Sequence, residues 1–359
     1  MTAGRGQAKY ALFPYITDDL LHQNAHYTGP STHILVKQNN KKYLWQPFSD
    51  QIESYKKEQN LYKNSLGNKI VFEEVNHSLG LTFLYSWQAS SRYGFVKKTK
   101  LINHSEVKVK VKLIDGLKNI LPAGLELRTQ QEMSNLANAY KVSECNPDYN
   151  YALYYMNALL MDKPDPGESL FSNMVWSFSE EKFELSVNQK SINTFLNDQC
   201  FTGDLLIKGK EGSFLNYIEK SLDQNHQMCW YIVADVQKSQ SDIVGIVSDL
   251  KEHDTLKDKL EESILDNYFE FEKNIGMADG FQCTNNNMND LHHTANVTYN
   301  VLRGGIFFDN YNIQKTSLVS FLKVRNKNIF ETYKNDISTL PDTFSLSLIH
   351  ISEPTRRTT

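Results

Sequence analysis

Two periodicities divide this chain. Up to about residue 240, apolar side chains recur at every second position in short runs, the repeat of a half-buried strand. Glu106–Ile114 is the sharpest case: in Val107-Lys108-Val109-Lys110-Val111-Lys112-Leu113 apolar residues alternate with lysines. That alternation places the valines on a core face and the lysines in water. Thr32–Val36 and Lys42–Trp45 flank Gln38-Asn39-Asn40 as a hairpin, and Ile70–Val75 with Leu79–Trp87 make a second strand pair. Tyr151–Met161, Met174–Phe178, Phe183–Val187, Leu205–Ile207 and Met228–Val236 read as further strands. Asp115-Gly116 is a turn signal, with Leu117–Leu121 continuing as a short apolar segment. Gln131–Lys141 suits either a helix or an extended segment. Many short strands with few helices between them predict a large antiparallel two-sheet β-sandwich.

The repeat then changes to 3.6. In Asp254–Lys273, Leu256, Leu260, Ile264, Tyr268 and Phe271 recur at i+3 or i+4. Met288–Arg303 and Ser317–Thr332 are expected as two more helices. The expected organisation is a β-domain over residues 1–240, a helical linker opening a further helical domain over 241–345, and a separate tail over 346–359. Leu346-Ser-Leu-Ile-His-Ile-Ser-Glu-Pro-Thr-Arg356 resembles the translation of a transposase-type sequencing adapter. It is expected to be foreign to the chain and to mark a truncation, so it is set aside from fold reasoning.

Composition narrows the function. Apolar residues make up 40% and aromatics 12% of the 359 residues, enough for a sizeable core, and aromatics suit sheets. A net charge of −4 gives no field that recruits nucleic acid or an acidic membrane. The lysine row therefore reads as a solvated sheet face. Cys145, Cys200, Cys229 and Cys283 form no CxxC pair, which argues against a zinc ribbon or redox motif. They are expected as free, mostly buried thiols in a reducing, cytoplasmic compartment. No run approaches the ~20 apolar residues of a membrane span, and Met1–Lys9 lacks the apolar core of a signal peptide.

The residues after 285 carry the most directional chemistry. On a helical wheel Asn289, His292, His293, Asn296, Asn300 and Arg303 share one stripe about 100° wide. Met288, Leu291, Ala295, Tyr299, Val301 and Leu302 fill the rest. A solvated face normally carries Lys and Glu, whereas these side chains hydrogen-bond directionally. The stripe suits a desolvated contact with another domain or with a sugar-like ligand. Arg303 in the last turn favours the helix C-terminal dipole, and Gly304-Gly305 can cap the helix. Metal binding is not expected, because adjacent His292 and His293 diverge around the helix. Asp162, Asp165 and Glu168 are the carboxylates nearest to an acid/base arrangement. They sit in a Pro/Gly-rich stretch that reads as a surface loop.

Two segments resemble a known family. One is Ser91-Arg-Tyr-Gly-Phe-Val96 with the alternating strand and Leu113-Ile-Asp-Gly-Leu-Lys-Asn-Ile-Leu-Pro-Ala-Gly124. The other is Ala278-Asp-Gly-Phe-Gln282 with His292-His-Thr-Ala-Asn296 and Asn300-Val-Leu-Arg-Gly-Gly-Ile-Phe307. Both look like the N-terminal half of large bacterial proteins similar to cellobiose phosphorylase and its glycoside-hydrolase relatives. The resemblance implies a galactose mutarotase-like supersandwich, then linker helices, then an (α/α) barrel that carries the catalytic acid. Too few helices fit here for that barrel, so no catalytic residue is assigned. The implied function is a non-catalytic N-terminal part of a glycoside phosphorylase or inverting glycoside hydrolase acting on gluco-oligosaccharides. Its implied ligand is carbohydrate, its partner the missing barrel, with a homodimer as a further option and no cofactor. The alternative is a stand-alone carbohydrate-binding or interaction module. A mutarotase-like enzyme is disfavoured, since His104, His226 and nearby carboxylates lack a convincing acid/base spacing.

Overall fold

Strands hold most of the described residues up to Ser239, and helices most of the described remainder. The computed structural model describes residues 28–38, 41–49, 54–125, 127–158, 169–302, 309 and 312–345. The strands are β1 (Gly29–Gln38), β2 (Lys41–Trp45), β3 (Lys57–Lys63), β4 (Ile70–Asn76), β5 (Leu81–Ser90), β6 (Gly94–Asn103), β7 (Val109–Ile120), β8 (Lys141–Asn146), β9 (Tyr151–Met156), β10 (Phe171–Ser179), β11 (Glu184–Ser186), β12 (Leu206–Lys208), β13 (Gly212–Leu222) and β14 (Gln227–Ser239). Helices α1 (Leu127–Glu132), α2 (Ser134–Tyr140) and α3 (Lys190–Leu196) lie between them. A five-stranded sheet has the order β11-β13-β7-β1-β2, and a nine-stranded sheet the order β12-β8-β9-β10-β14-β6-β5-β4-β3. Every pairing in the two sheets is antiparallel.

The core lies between these sheets. Ile34, Val36, Val109, Val111, Leu113, Leu117, Phe214 and Ile218 from the smaller sheet pack with Leu81, Phe83, Leu101, Tyr154, Val175, Trp230 and Ile232 from the larger. The valine–lysine alternation works as expected from Val109 onward: Val109, Val111 and Leu113 are buried, while Lys108 and Lys110 are exposed. Lys112 is half-buried and donates to Asp198 at 3.0 Å. Val107 lies before the strand and is exposed.

The turn expected at Asp115-Gly116 is absent, and β7 runs straight through it. A Cβ on Gly116 would fall 1.8 Å from the carbonyl oxygen of Phe214 on β13. The glycine permits close strand approach and does not turn the chain. Asp115 points into the sandwich and ties the two sheets together. Its Oδ1 accepts from Thr32 Oγ1 and Lys97 Nζ, each at 2.7 Å, and its Oδ2 accepts from Trp230 Nε1 at 2.7 Å. The Lys97 ammonium also lies 5.1 Å from the centre of the Tyr85 ring. Both members of this ion pair are fully buried. Such a pair is tolerable because the hydrogen bonds around it offset desolvation. Glu74 makes a second inter-sheet tie, accepting from Trp45 Nε1 at 2.7 Å and from Phe48 N at 2.8 Å.

On the outer face of the smaller sheet, His33 lies on β1 with its Nε2 at 3.1 Å from Ser31 Oγ. Burial, then the nearby Lys118, push its pKa from 6.5 down to about 4, with Asp115 opposing. Burial alone brings Lys118 down to about 8. His33 is therefore neutral when folded and protonates more readily when unfolded. Its contribution is fully present above pH 6.5 and is lost as pH falls from 6.5 towards 4. The full loss is about 3 kcal/mol. His33→Gln is expected to flatten the stability-versus-pH curve in that window, measured by urea titration at stepped pH. Parallel curves for the two proteins would contradict this.

After β14 come α4 (Gln240–Lys251), α5 (His253–Met277), α6 (Asn287–Leu302), α7 (Lys315–Arg325), α8 (Lys327–Thr332) and α9 (Lys334–Thr339), with a small antiparallel pair, β15 (Asn312–Gln314) and β16 (Thr343–Ser345). A capping box opens α4: Ser239 Oγ accepts from Asp242 N, and the Asp242 carboxylate accepts from Ser239 N. Ile246, Leu250, Leu256 and Leu260 then cover Tyr93, Val96, Met174, Trp176, Phe178, Tyr231 and Val233 on the larger sheet's other face. Arg92 and Tyr93 donate to Asp249 at 2.5 and 3.1 Å, and Lys98 donates to Glu261 at 2.6 Å. The middle of the larger sheet, around β10, β14 and β6, is thus buried on both faces, which explains the near-continuous burial of β10.

The chain divides into two compact units, Met1–Asn64 with Asn68–Asn267, and Ser65–Gly67 with Tyr268–Thr359. Four sequence expectations need correction. Ser317–Thr332 is two helices, because Asn326 leaves helical geometry and its side chain caps α8 by accepting from Ile329 N at 3.2 Å. Gln131–Lys141 is not one element but the end of α1, then α2, then the first residue of β8. The strand begun at Tyr151 ends at Met156, before a bend at Asn157. The cysteines are not mostly buried: Cys200 and Cys283 are exposed, and Cys145 and Cys229 are half-buried.

Candidate functional site

Helix α6 carries the residues singled out by sequence, and its own local geometry decides what each can do. The segment before it supplies the N-terminal stop. Asp290 accepts from Thr284 Oγ1 at 2.7 Å and from Thr284 N at 3.1 and 3.2 Å through its two carboxylate oxygens. Asn286 Oδ1 accepts from Met288 N at 3.0 Å. The Asn286 contact satisfies a donor that a helix start leaves open, Asp290 ties the preceding segment to the first turn, and an acidic first turn favours the dipole.

The loop after α5 holds the middle of the helix. Asp279 has a left-handed φ of 56°, which turns its carbonyl and that of Gly280 towards α6. His293 Nε2 donates to Asp279 O at 2.9 Å, and Thr294 Oγ1 donates to Gly280 O at 2.8 Å. At Gly280 a Cβ would meet Ile275 Cγ2 at 2.4 Å and Val297 Cγ1 at 3.3 Å, so only glycine lets α5 and α6 close together there. Thr294 and Val297 are the buried residues of α6.

The stripe is therefore split in role. His293 is half-buried and fixes the preceding loop. Asn300 Nδ2 donates to Asn296 O at 2.9 Å and Oδ1 at 3.2 Å, one turn apart on the same helix. His292 and Asn296 are exposed. Arg303 lies outside the described residues, as do Asp162, Asp165 and Glu168. The apolar side is largely uncovered: Met288 is 61%, Tyr299 50% and Leu302 74% exposed. So α6 presents both a polar stripe and large apolar side chains to its surroundings. That arrangement can make a wide contact with a surface, and it places no acid and base across from one another.

Sequence reasoning placed α5 but missed α4 and the partnered carboxylates Asp249 and Glu261, although Ser239-Gln-Ser-Asp242 carried a capping-box signal. It also missed Asp115, Lys97 and Lys141 as buried charges, because strand periodicity does not report which inward position will meet a partner. No helix among the described residues is long and apolar enough to cross a membrane.

Residues 307–355 match the family model described as Glycoside hydrolase family 149 insertion domain 1. The described part of that segment is β15, α7, α8, α9 and β16. No curated protein matches the chain. Among solved structures, a protein assigned as a kojibiose phosphorylase from the human microbiome aligns at 11% identity and TM-score 0.37, covering 67% of this chain and 27% of its own. A bacterial glucoamylase complexed with acarbose aligns at 12% identity and TM-score 0.38, covering 66% and 31%. A heparan sulfate lyase from Pedobacter heparinus aligns at 12% identity and TM-score 0.26, covering 64% and 28%. The chain thus spans under a third of the length of each of these three structures. Over residues 307–355 the chain is similar to that glycoside hydrolase insertion domain.

Proposed function

We propose that this chain is the non-catalytic N-terminal part of a glycoside phosphorylase or inverting glycoside hydrolase acting on gluco-oligosaccharides. The observation that carries the reading is the match of residues 307–355 to a glycoside hydrolase insertion domain, downstream of a large two-sheet sandwich. In this reading residues 1–240 are the supporting sandwich and 241–345 the helical lead into an (α/α) barrel. The exposed surface of α6 supports it from the physical side. Met288, Tyr299 and Leu302 stand beside His292 and Asn296, apolar area next to directional hydrogen-bonding groups. Interfaces within a chain combine these two features. His292, His293, Asn296, Asn300 and Arg303 are assigned to the contact with that barrel or with the sugar at its edge, and His293 also holds the loop at Asp279. The catalytic acid belongs to the barrel, and the protein works in the cytoplasm on a carbohydrate substrate.

The test compares the product of the intact gene with residues 1–345. Phosphate uptake or release is followed with gluco-oligosaccharides of increasing length, and reducing-end release is followed without phosphate. The intact product is expected to be active in one of these assays and the shorter chain inactive in both. Turnover by residues 1–345 alone would overturn the assignment.

A further inference from the structure

Helix α5 has two unlike faces. Leu256 and Leu260 pack down on the larger sheet, while Leu265 and Phe269 are 55% and 59% exposed. Beside these two run Asp258, Glu262, Asp266 and Glu270, all exposed and four residues apart. That spacing stacks the carboxylates in one row along the helix, about 6 Å from each to the next. Like charges so placed destabilise a helix unless something answers them. None of the four has an ion-pair partner among the described residues. The neighbouring lysines are engaged elsewhere, Lys257 with Glu180 at 3.7 Å and Lys259 with Glu252 at 2.7 Å.

Helix α7 repeats this arrangement with the opposite sign. It contains no acidic residue and buries none of its side chains. Phe321 and Val324 are 61% and 80% exposed, and Arg325 is exposed as well. Their spacing of three and four residues puts all three on one face. Lys323 and Lys327 flank that face in the sequence. Neither Arg325 nor Lys327 has a carboxylate partner among the described residues. Large apolar side chains held in water and edged by charge mark an interaction surface.

The two faces complement one another. Each carries a pair of exposed apolar side chains, bordered by unpartnered charge that is negative on α5 and positive on α7. The chain thus holds both halves of a contact, and within one copy both halves stay exposed. A net charge of −4 opposes the approach of two copies only weakly. We propose that α7 of one copy packs on the outward face of α5 of a second copy. Phe321 and Val324 meet Leu265 and Phe269, and Arg325 lies over the carboxylate row. This contact is independent of the function proposed above.

The test is sedimentation of the full chain at stepped concentrations, in low salt and in about 1 M salt, where charges are screened beyond about 3 Å. A contact between two helix faces lies at the small end of protein interfaces, so reversible association is expected at micromolar concentrations and above. High salt is expected to weaken it several-fold. Val324→Glu, at a surface position, is expected to keep the circular dichroism of the parent and to weaken association about tenfold, because it sets a carboxylate against the acidic row. Arg325→Glu is expected to weaken it too, and adding Asp266→Lys in the same chain to restore most of the loss. Non-specific stickiness would not be rescued in this way. A chain that stays monomeric at submillimolar concentration in low salt would overturn the proposal and leave another segment of the intact gene product as the occupant. Association that Val324→Glu leaves intact, or that the charge exchange does not restore, would overturn it as well.

Discussion

Asp115→Ala is expected to lower the stability of the sandwich by about 3–5 kcal/mol, the cost of stranding a buried charge. The carboxylate has three donors, and each loses its partner at once: the Lys97 ammonium, the Trp230 indole N–H and the Thr32 hydroxyl. Lys97 has no route to water, being fully buried between the sheets. The measurement is urea unfolding followed by tryptophan fluorescence, in which Trp230 reports from the site itself. Where the single variant does not fold, the pair Lys97→Met with Asp115→Leu provides the second arm. Removing both charges together is expected to restore much of the loss, because apolar pairs of similar volume often replace buried ion pairs without penalty. A single variant within about 1 kcal/mol of the parent, less than one ordinary buried hydrogen bond and its stranded partner, would show that Asp115 does not hold the sheets together.

Gly116→Ala, one residue along, is expected to cost about 3 kcal/mol for a different reason, at the upper end of overpacking. The new methyl would fall 1.8 Å from Phe214 O and within 3 Å of the carbonyl carbon of Phe214 and the Cα of Leu215, all backbone atoms of the neighbouring strand. A flexible side chain could rotate away, but a paired strand cannot without breaking its ladder. Phe214 belongs to the inter-sheet core and Leu215 to the cluster under α3, so a shift of β13 disturbs both faces of the smaller sheet. Hydrogen exchange at Tyr217, Ile218 and Glu219 is expected to accelerate together with the fall in urea midpoint. Unchanged exchange and an unchanged midpoint would mean that β7 and β13 are not packed as closely as described.

Residues 115 and 116 also show where the sequence stops being legible. Asp-Gly is common in turns because both residues tolerate turn conformations, and nothing local distinguishes that use from a buried carboxylate beside a tight strand contact. The distinction depends on Trp230, Thr32 and Phe214, which are remote in sequence. Asn326 is a similar case: a helical repeat continues across it, yet its side chain caps the following turn and divides the helix. For α6 the pattern located the helix to within a residue at its start, and it grouped His292, His293, Asn296 and Asn300 on one side. It did not show that His293 is occupied by Asp279, or that the apolar side is largely uncovered, since a helical wheel orders residues around an axis without saying what stands opposite.

What the sequence determined by itself was the class of fold and the direction of each strand's faces. Period-two alternation is a property of the pleated backbone, so Val109, Val111 and Leu113 had to share a face with the lysines on the other. The change to period 3.6 after Ser239 likewise had to produce helices. Only the tertiary structure decided which faces meet. It paired Lys97 with Asp115, laid α4 and the start of α5 over the larger sheet, and closed Glu211 towards Lys141. Each of these rests on contacts between residues far apart in the chain, whose energies depend on burial and geometry that no local pattern encodes.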